Sequence, residues 1–173
     1  MNALFVIDVQ NGIVEEGDFT EELNKIEQII EGFKERDEPV IFFQHLDEEK
    51  ESPLFEESRG AELHESLRHH AEYIVEKRTP SGFFETDLES ILEENDIEHV
   101  VITGFNTEFC CMFTAIAAFD RGYEVTFVED ATGTLNNGDT YEMKNLDIRD
   151  FIGTVLHWSE TIEVLDYDEY LDL

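Results

Sequence analysis

Apolar runs alternate with amphipathic stretches along the chain. The run ALFVI (3–7) opens a first strand over 3–9, and its nearly unbroken apolarity predicts burial on both faces. Leu23, Ile26, Ile29, Ile30 and Phe33 then recur at helical spacing, which predicts a helix over 20–35 with Thr20 as N-cap and glutamates in its first turn. Pro39 precedes a second strand, VIFFQ (40–44). Residues 46–62 are polar, carry Pro53 and Gly60, and read as a loop, with a short helical stretch at 61–70. A third strand covers 72–76, a turn TPSGF (79–83), and a helix capped by Thr86 or Asp87 runs to Asn95 with Leu88, Ile91 and Leu92 inward. A fourth strand follows at 99–103, then a helix from Glu108 to Arg121 closed by Gly122, and a fifth strand at 124–129. Residues 137–156 are weakly helical, and TIEVL (161–165) is a sixth strand. Strands that alternate with helices predict an α/β fold in three layers, α/β/α, around a mainly parallel sheet. With no linker, repeat or low-complexity tract, residues 1–173 read as one domain.

Composition narrows the class. The 14 phenylalanines imply a packed core. A net charge of −32, from 43 acids against 11 bases, repels nucleic acid and anionic membrane, so neither is expected as a partner. The acids are spread over the whole chain and not gathered in a tail, which reads as the solvated acidic shell of a protein working in high salt. Such a charge opposes self-association at low salt, which leaves a homo-oligomer open as an option. No basic leader precedes the first strand and no apolar run reaches membrane-spanning length, so a cytoplasmic location is expected. The two cysteines, Cys110 and Cys111, are adjacent and cannot staple the fold, which agrees with a reducing compartment.

Three chemically suggestive residues fall just past apolar runs. Asp8 follows ALFVI, Lys77 follows YIVE (73–76), and Cys110 follows HVVIT (99–103) within GFNTEFC. In open parallel sheets ligands bind outside the carboxyl ends of the strands. An acid, a cation and a thiol meeting there suit nucleophilic catalysis. A free thiol titrates near about 8.5. A helix N-terminus and Lys77 are expected to pull Cys110 lower, with Asp8 as proton acceptor. Cys111 reads as a small buried hydrophobe, with a resolving-thiol role as the redox alternative.

Four segments in this order, ALFVIDVQN (3–11), VEKRTPSGFFETDL (75–88), VVITGFNTEFC (100–110) and AFDRGYEVTFVEDAT (118–132), resemble the isochorismatase-like (cysteine hydrolase) superfamily. The resemblance implies a six-stranded sheet of order 3-2-1-4-5-6 and an Asp–Lys–Cys triad at Asp8, Lys77 and Cys110. It implies a cis peptide at Phe105–Asn106, with the N–H groups of Asn106 and Cys110 receiving an oxyanion. Gln10 is expected to hold Asp8 or the pocket, and Phe83 and Phe84 to line the substrate site, one facing substrate and the other the core. The activity implied is hydrolysis of an amide or carbamoyl C–N bond of a small molecule through a thioester. The alternatives are vinyl-ether hydrolysis, as in isochorismatase itself, and a non-catalytic or redox protein on the same fold. No cofactor and no metal is expected: the zinc-using amidases that resemble the family carry Asp-x-His after the second strand, whereas this chain has His45 before Asp47. By ligand type His45 with Asp47 and His64 could form a metal site, but the spacing does not show the geometry one needs, and His45 reads better as a pocket-rim or loop residue. His69 and His70 are neighbours that a regular helix would point apart.

Overall fold

A computed structural model describes all residues, 1–173. The elements run β1 (Asn2–Ile7), α1 (Asn11–Val14), α2 (Thr20–Glu35), β2 (Val40–His45), β3 (Tyr73–Lys77), α3 (Leu88–Glu94), β4 (His99–Phe105), α4 (Met112–Asp120), β5 (Glu124–Gly133), α5 (Ile148–Trp158), β6 (Glu163–Leu165) and α6 (Tyr167–Leu171). The six strands are all parallel, in the order β3-β2-β1-β4-β5-β6. No helix is long and apolar enough to cross a membrane.

The unbroken apolarity of β1 follows from its central place. Ala3, Phe5 and Ile7 enter one core layer beneath α3, α4 and α5, while Leu4 and Val6 enter the other beneath α2. Helix α2 presents Ile26, Ile29, Ile30 and Phe33 to that second layer, each worth about 1.5–3 kcal/mol relative to exposure.

Several local expectations are corrected. Phe19, not Thr20, stands at the N-cap of α2; the Asp18 carboxylate accepts from both the N–H (3.3 Å) and the hydroxyl (2.9 Å) of Thr20. The helix read from Glu108 begins instead as a π turn over Thr107–Cys111 and becomes α-helical at Met112. The weakly helical stretch at 137–156 divides into a short 3₁₀ turn, Gly138–Tyr141, and α5.

Parallel pairing brings the carboxyl ends of the central strands to one edge. Ile7 lies in register with Gly104, and His45 with Lys77. Gly104 is required at this crossing: its φ is +112°, and a Cβ there would lie 2.1 Å from the Ile7 carbonyl oxygen.

Candidate active site

β1 delivers Asp8. The strand ends at Ile7, and Asp8 takes a left-handed φ of 50°, which a short polar side chain tolerates best among non-glycine residues. β3 delivers Lys77 as its last residue, and the turn after β4 delivers Cys110. The three converge. Lys77 Nζ lies 2.8 Å from Asp8 Oδ2 and 3.2 Å from Cys110 Sγ. The side chains of Lys77 and Asp8 are 0% and 1% exposed. Asp8 Oδ1 is buried with no partner.

This packing sets the charge states. Burial pulls the Lys77 ammonium down, but Asp8 and Cys110 outweigh it and hold Lys77 above its ordinary value. Burial, with the Asp8 carboxylate beside it, pushes the Cys110 thiol far up, and Lys77 offsets only part of this. The expected lowering of Cys110 is therefore corrected. The direction favours the thiol form of Cys110, because Lys77 is already paired with Asp8 and burial disfavours the thiolate. Cys111 is fully buried in the core layer under α4, and burial raises its thiol as well.

His45 belongs to this cluster, which the sequence did not reveal. Its Nδ1 lies 3.0 Å from Lys77 Nζ, and its Nε2 lies 3.0 Å from Asp47 Oδ1. The Ser52 hydroxyl donates to the other Asp47 oxygen at 2.5 Å. An ammonium can only donate, so His45 Nδ1 accepts and Nε2 carries the proton to Asp47. The signal available in advance was the strand register, which sets His45 beside Lys77. His45→Gln is expected to lower kcat/KM by about 10–100-fold with the fold intact, through a misplaced ammonium. Steady-state kinetics alongside a thermal melt measures this; unchanged kinetics would remove His45 from the machinery.

Asp8, His45 and Cys110 have ligand-type atoms within 4.8 Å of one another. The Lys77 ammonium stands 2.8–3.2 Å from all three, in the place a cation would occupy. His64 does not join His45 and Asp47; its Nδ1 bonds the Ser66 hydroxyl at 2.8 Å. His69 and His70 lie at a 3₁₀ turn with ring centres 3.9 Å apart and planes tilted by 39°, so they do share a side, facing Glu27. Lys34 Nζ, 3.2 Å from His70 Nδ1, puts a positive charge there and opposes a metal.

The remaining site residues divide between scaffold and surface. Gln10 is fully buried; its backbone N–H donates to the Asp8 carbonyl at 2.8 Å, while its side chain turns away from the Asp8 carboxylate: Nε2 donates to the carbonyls of His45 and Ala61 at 2.8 Å each, and Oε1 accepts from His45 N–H at 2.9 Å. Its role is to fix the end of β2. Of the two phenylalanines expected to divide between substrate and core, Phe83 is the one in the core, so its place among the substrate-lining residues is corrected. It packs on Phe5 and Tyr123, with the Arg121 guanidinium 4.6 Å from its ring centre. The reason is local: Gly82 seats its backbone against the Phe43 ring, with room for no Cβ, and this turns Phe83 inward. Phe84 is 55% exposed and borders a cleft of about 240 Å³ with Leu46, Lys77, Arg78 and Thr79. A larger hollow of about 440 Å³ lies at the amino ends of β4 and β5, where His99 and Thr126 bond each other and no cysteine is present. The chemistry therefore places the site at the carboxyl edge.

The Phe105–Asn106 peptide is cis. The Asn106 N–H meets no protein acceptor. Its side-chain oxygen accepts from Leu135 N–H at 3.3 Å. Glu108 is buried, and its Oε1 accepts from Thr134 (2.8 Å), Asn136 (2.7 Å) and Tyr141 (3.0 Å). Both residues thereby tie the segment after β5 to the turn that carries Cys110. Nothing in the local sequence marked Glu108 for this, since its donors lie 26–33 residues away.

The Isochorismatase domain family matches residues 2–160. The isochorismatase family protein YddQ of Bacillus subtilis is 31% identical over 139 residues, spanning 76% of this chain and 77% of that protein. An Arabidopsis thaliana protein that carries the name probable inactive nicotinamidase is 29% identical over 189 residues, spanning 92% and 95%. Ureidoacrylate amidohydrolase RutB of Variovorax paradoxus is 32% identical over 90 residues, spanning 52% and 34%. Among solved structures, an isochorismatase-family structure from Burkholderia xenovorans LB400 superposes with a TM-score of 0.88 at 30% identity, covering 99% of this chain and 86% of that one. The extent of these matches, over the same segments that carry the Asp8, Lys77 and Cys110 cluster, places this chain in the isochorismatase family, among its hydrolases.

Proposed function

We propose that this protein is a cysteine-dependent hydrolase that cleaves an amide or carbamoyl C–N bond of a small molecule through a thioester on Cys110. One observation carries the reading. Asp8 Oδ1 is buried without a partner beside a thiol that burial keeps protonated, while Lys77 holds the other carboxylate oxygen. Leaving such an oxygen unsatisfied costs about 1–3 kcal/mol or more, and a base that must take a proton needs that vacancy.

Sγ attacks the carbonyl carbon as its proton passes to Asp8, forming the C–S bond. In this reading the N–H groups of Asn106 and Cys110 receive the developing oxyanion. Asp8 then protonates the leaving nitrogen, the C–N bond breaks, and ammonia or an amine departs. Water, deprotonated by Asp8, attacks the thioester; the acid leaves and Sγ regains its proton. Lys77 keeps its charge throughout and steadies both anionic partners. His45 orients it.

The names of two relatives, an amidohydrolase and a nicotinamidase, support the bond class, although the second is named inactive. The cleft beside Phe84 suits a substrate of few heavy atoms. Ammonia release from a panel of small amides, ureides and carbamoyl compounds, at low and high salt, tests the reading. Turnover of at least one class is expected. No turnover of any class, with Cys110 still open to alkylation, would overturn it.

A further inference from the structure

Glu108 is a buried charged group for which the reaction as written has no use. Its donors are all neutral, two hydroxyls and an amide, and its second oxygen, Oε2, is buried with no partner. It does not act alone. Three consecutive residues after β4 are fastened by their side chains to the stretch 132–141. Asn106 Oδ1 accepts from Leu135 N–H at 3.3 Å. The hydroxyls of Thr107 and Thr132, both fully buried, bond each other at 2.9 Å. Glu108 Oε1 draws all three of its donors from Thr134, Asn136 and Tyr141. On the far side of the nucleophile, Cys111, Ala115 and Ala118 are buried in the core layer, and the Thr114 hydroxyl accepts from Gly82 N–H at 2.9 Å. Cys110 therefore sits between two fixed ends. The turn that joins them is a π turn, closed from the Asn106 carbonyl to the Cys111 N–H at 3.2 Å, one residue farther than an α turn reaches. Such turns are rare and occur mostly singly, at functional sites. Relaxation to an α turn would slip the chain by one residue and rotate its side chains by about 100°.

We propose that Glu108 is a positioning residue for the nucleophile: with Asn106 and Thr107 it holds the π turn in register against 132–141, and so aims Cys110 Sγ at the Asp8–Lys77 pair. The inference rests on the reading of Cys110 as the nucleophile. The core side of the turn cannot yield, since α4 would have to rotate Cys111, Ala115 and Ala118 out of the core. The outer side yields only if its hydrogen bonds break. Glu108 is the strongest of the three ties, because it takes three donors and because hydrogen bonds to a carboxylate are roughly twice as strong as neutral ones. That gives a physical reason for a charge at this position: a neutral amide would hold the same donors more weakly. Sγ lies 3.2 Å from Lys77 Nζ, so a slip of one residue would carry it out of reach. A misplacement of about 1 Å can already cost about 100-fold in rate. The stretch 132–141 thereby acts on the reaction through the turn and not through the substrate.

Glu108→Ala, read by steady-state kinetics on an amide the protein turns over and by a crystal structure, tests this. kcat should fall by about 10–100-fold while KM changes by less than about threefold. Residues 107–111 should close as an α turn, with Sγ out of hydrogen-bond reach of Lys77. Glu108→Gln keeps an acceptor for the three donors, so it should restore kcat to within about fivefold of the parent, with the π turn intact. If Glu108→Ala does not fold, Asn136→Ala combined with Tyr141→Phe removes two of the donors from the other side and should shift kcat and the turn in the same direction. The crystal structures read the position of the sulfur whether or not any amide is cleaved, so a failure of the C–N chemistry leaves this test standing. An unchanged π turn and Lys77–Cys110 contact in both the Ala variant and the donor-side variant would overturn the assignment. So would a loss confined to KM, which would make 132–141 a wall of the substrate site. A lower melting temperature with kcat unchanged would make Glu108 a plain stabiliser, and Glu108→Gln as slow as Glu108→Ala would show that its hydrogen bonds do not carry the effect; either result overturns it too.

Discussion

Cys110→Ser is expected to lower kcat on any amide substrate by at least about 10³-fold while the melting temperature stays within a few degrees. A hydroxyl in place of the thiol fits the site, which is built by Asp8, Lys77 and the turn after β4. It fails chemically. Sγ gives up its proton to a carboxylate only because a thiol is the most acidic of the neutral nucleophiles, and burial already makes that transfer costly. A serine hydroxyl in the same dry pocket is far harder to ionise. The variant also separates the competing chemistries. Cleavage of a vinyl ether needs a carboxylate and no sulfur, so it should survive the change, as should binding of a macromolecular partner. If amide turnover survives as well, the thioester route is wrong.

Asp8→Asn should give two results that look opposed. Hydrolysis falls by about 10³-fold or more, because the base for both half-reactions is gone. The thiol nevertheless becomes more reactive. Asp8 is among the causes that hold Cys110 up, whereas Lys77 pulls it down. Removing the carboxylate leaves the ammonium unopposed, so the thiolate fraction at neutral pH rises. Iodoacetamide should label Cys110 faster in Asp8→Asn than in the parent protein at about pH 7.5, and the gap should close as pH rises well above the free-thiol range. Lys77 would lose its only counter-ion while its side chain stays fully buried, at a stability cost of about 3 kcal/mol. A variant that labels more slowly than the parent would show that Asp8 does not set the thiol's state.

The parts of this site that could be read from the sequence are those fixed by strand ends. Asp8, Lys77 and Cys110 each follow an apolar run, and parallel pairing carries such ends to one edge whatever the loops do. Helix α2 was legible for a similar reason: its apolar face is regular and its span is Thr20–Glu35. What escaped depends on non-local contacts. The inward turn of His45 follows from its register with Lys77, 32 residues on. The choice between Phe83 and Phe84 rests on how closely Gly82 meets Phe43. The state of the Cys110 thiol was misjudged because a helix start and a nearby lysine are visible in a sequence, whereas burial and a competing ion pair are not. The Thr20 cap failed on a finer balance, since Asp18 sits two residues earlier with a stronger acceptor. His69 and His70 share a side because their segment is a 3₁₀ turn, which no periodicity in the 61–70 stretch announced.

Covalent occupancy of Cys110 during turnover can be observed without inference from variants. The parent protein is mixed with an amide it turns over, quenched in acid within a turnover time, digested and analysed by mass spectrometry. The peptide carrying Cys110 and Cys111 should bear the acyl group of the substrate on Cys110 alone, and the adduct should vanish as substrate is exhausted. Steady turnover with that peptide unmodified at every quench time, or acylation confined to Cys111, would contradict a thioester at the sulfur that Lys77 and Asp8 surround.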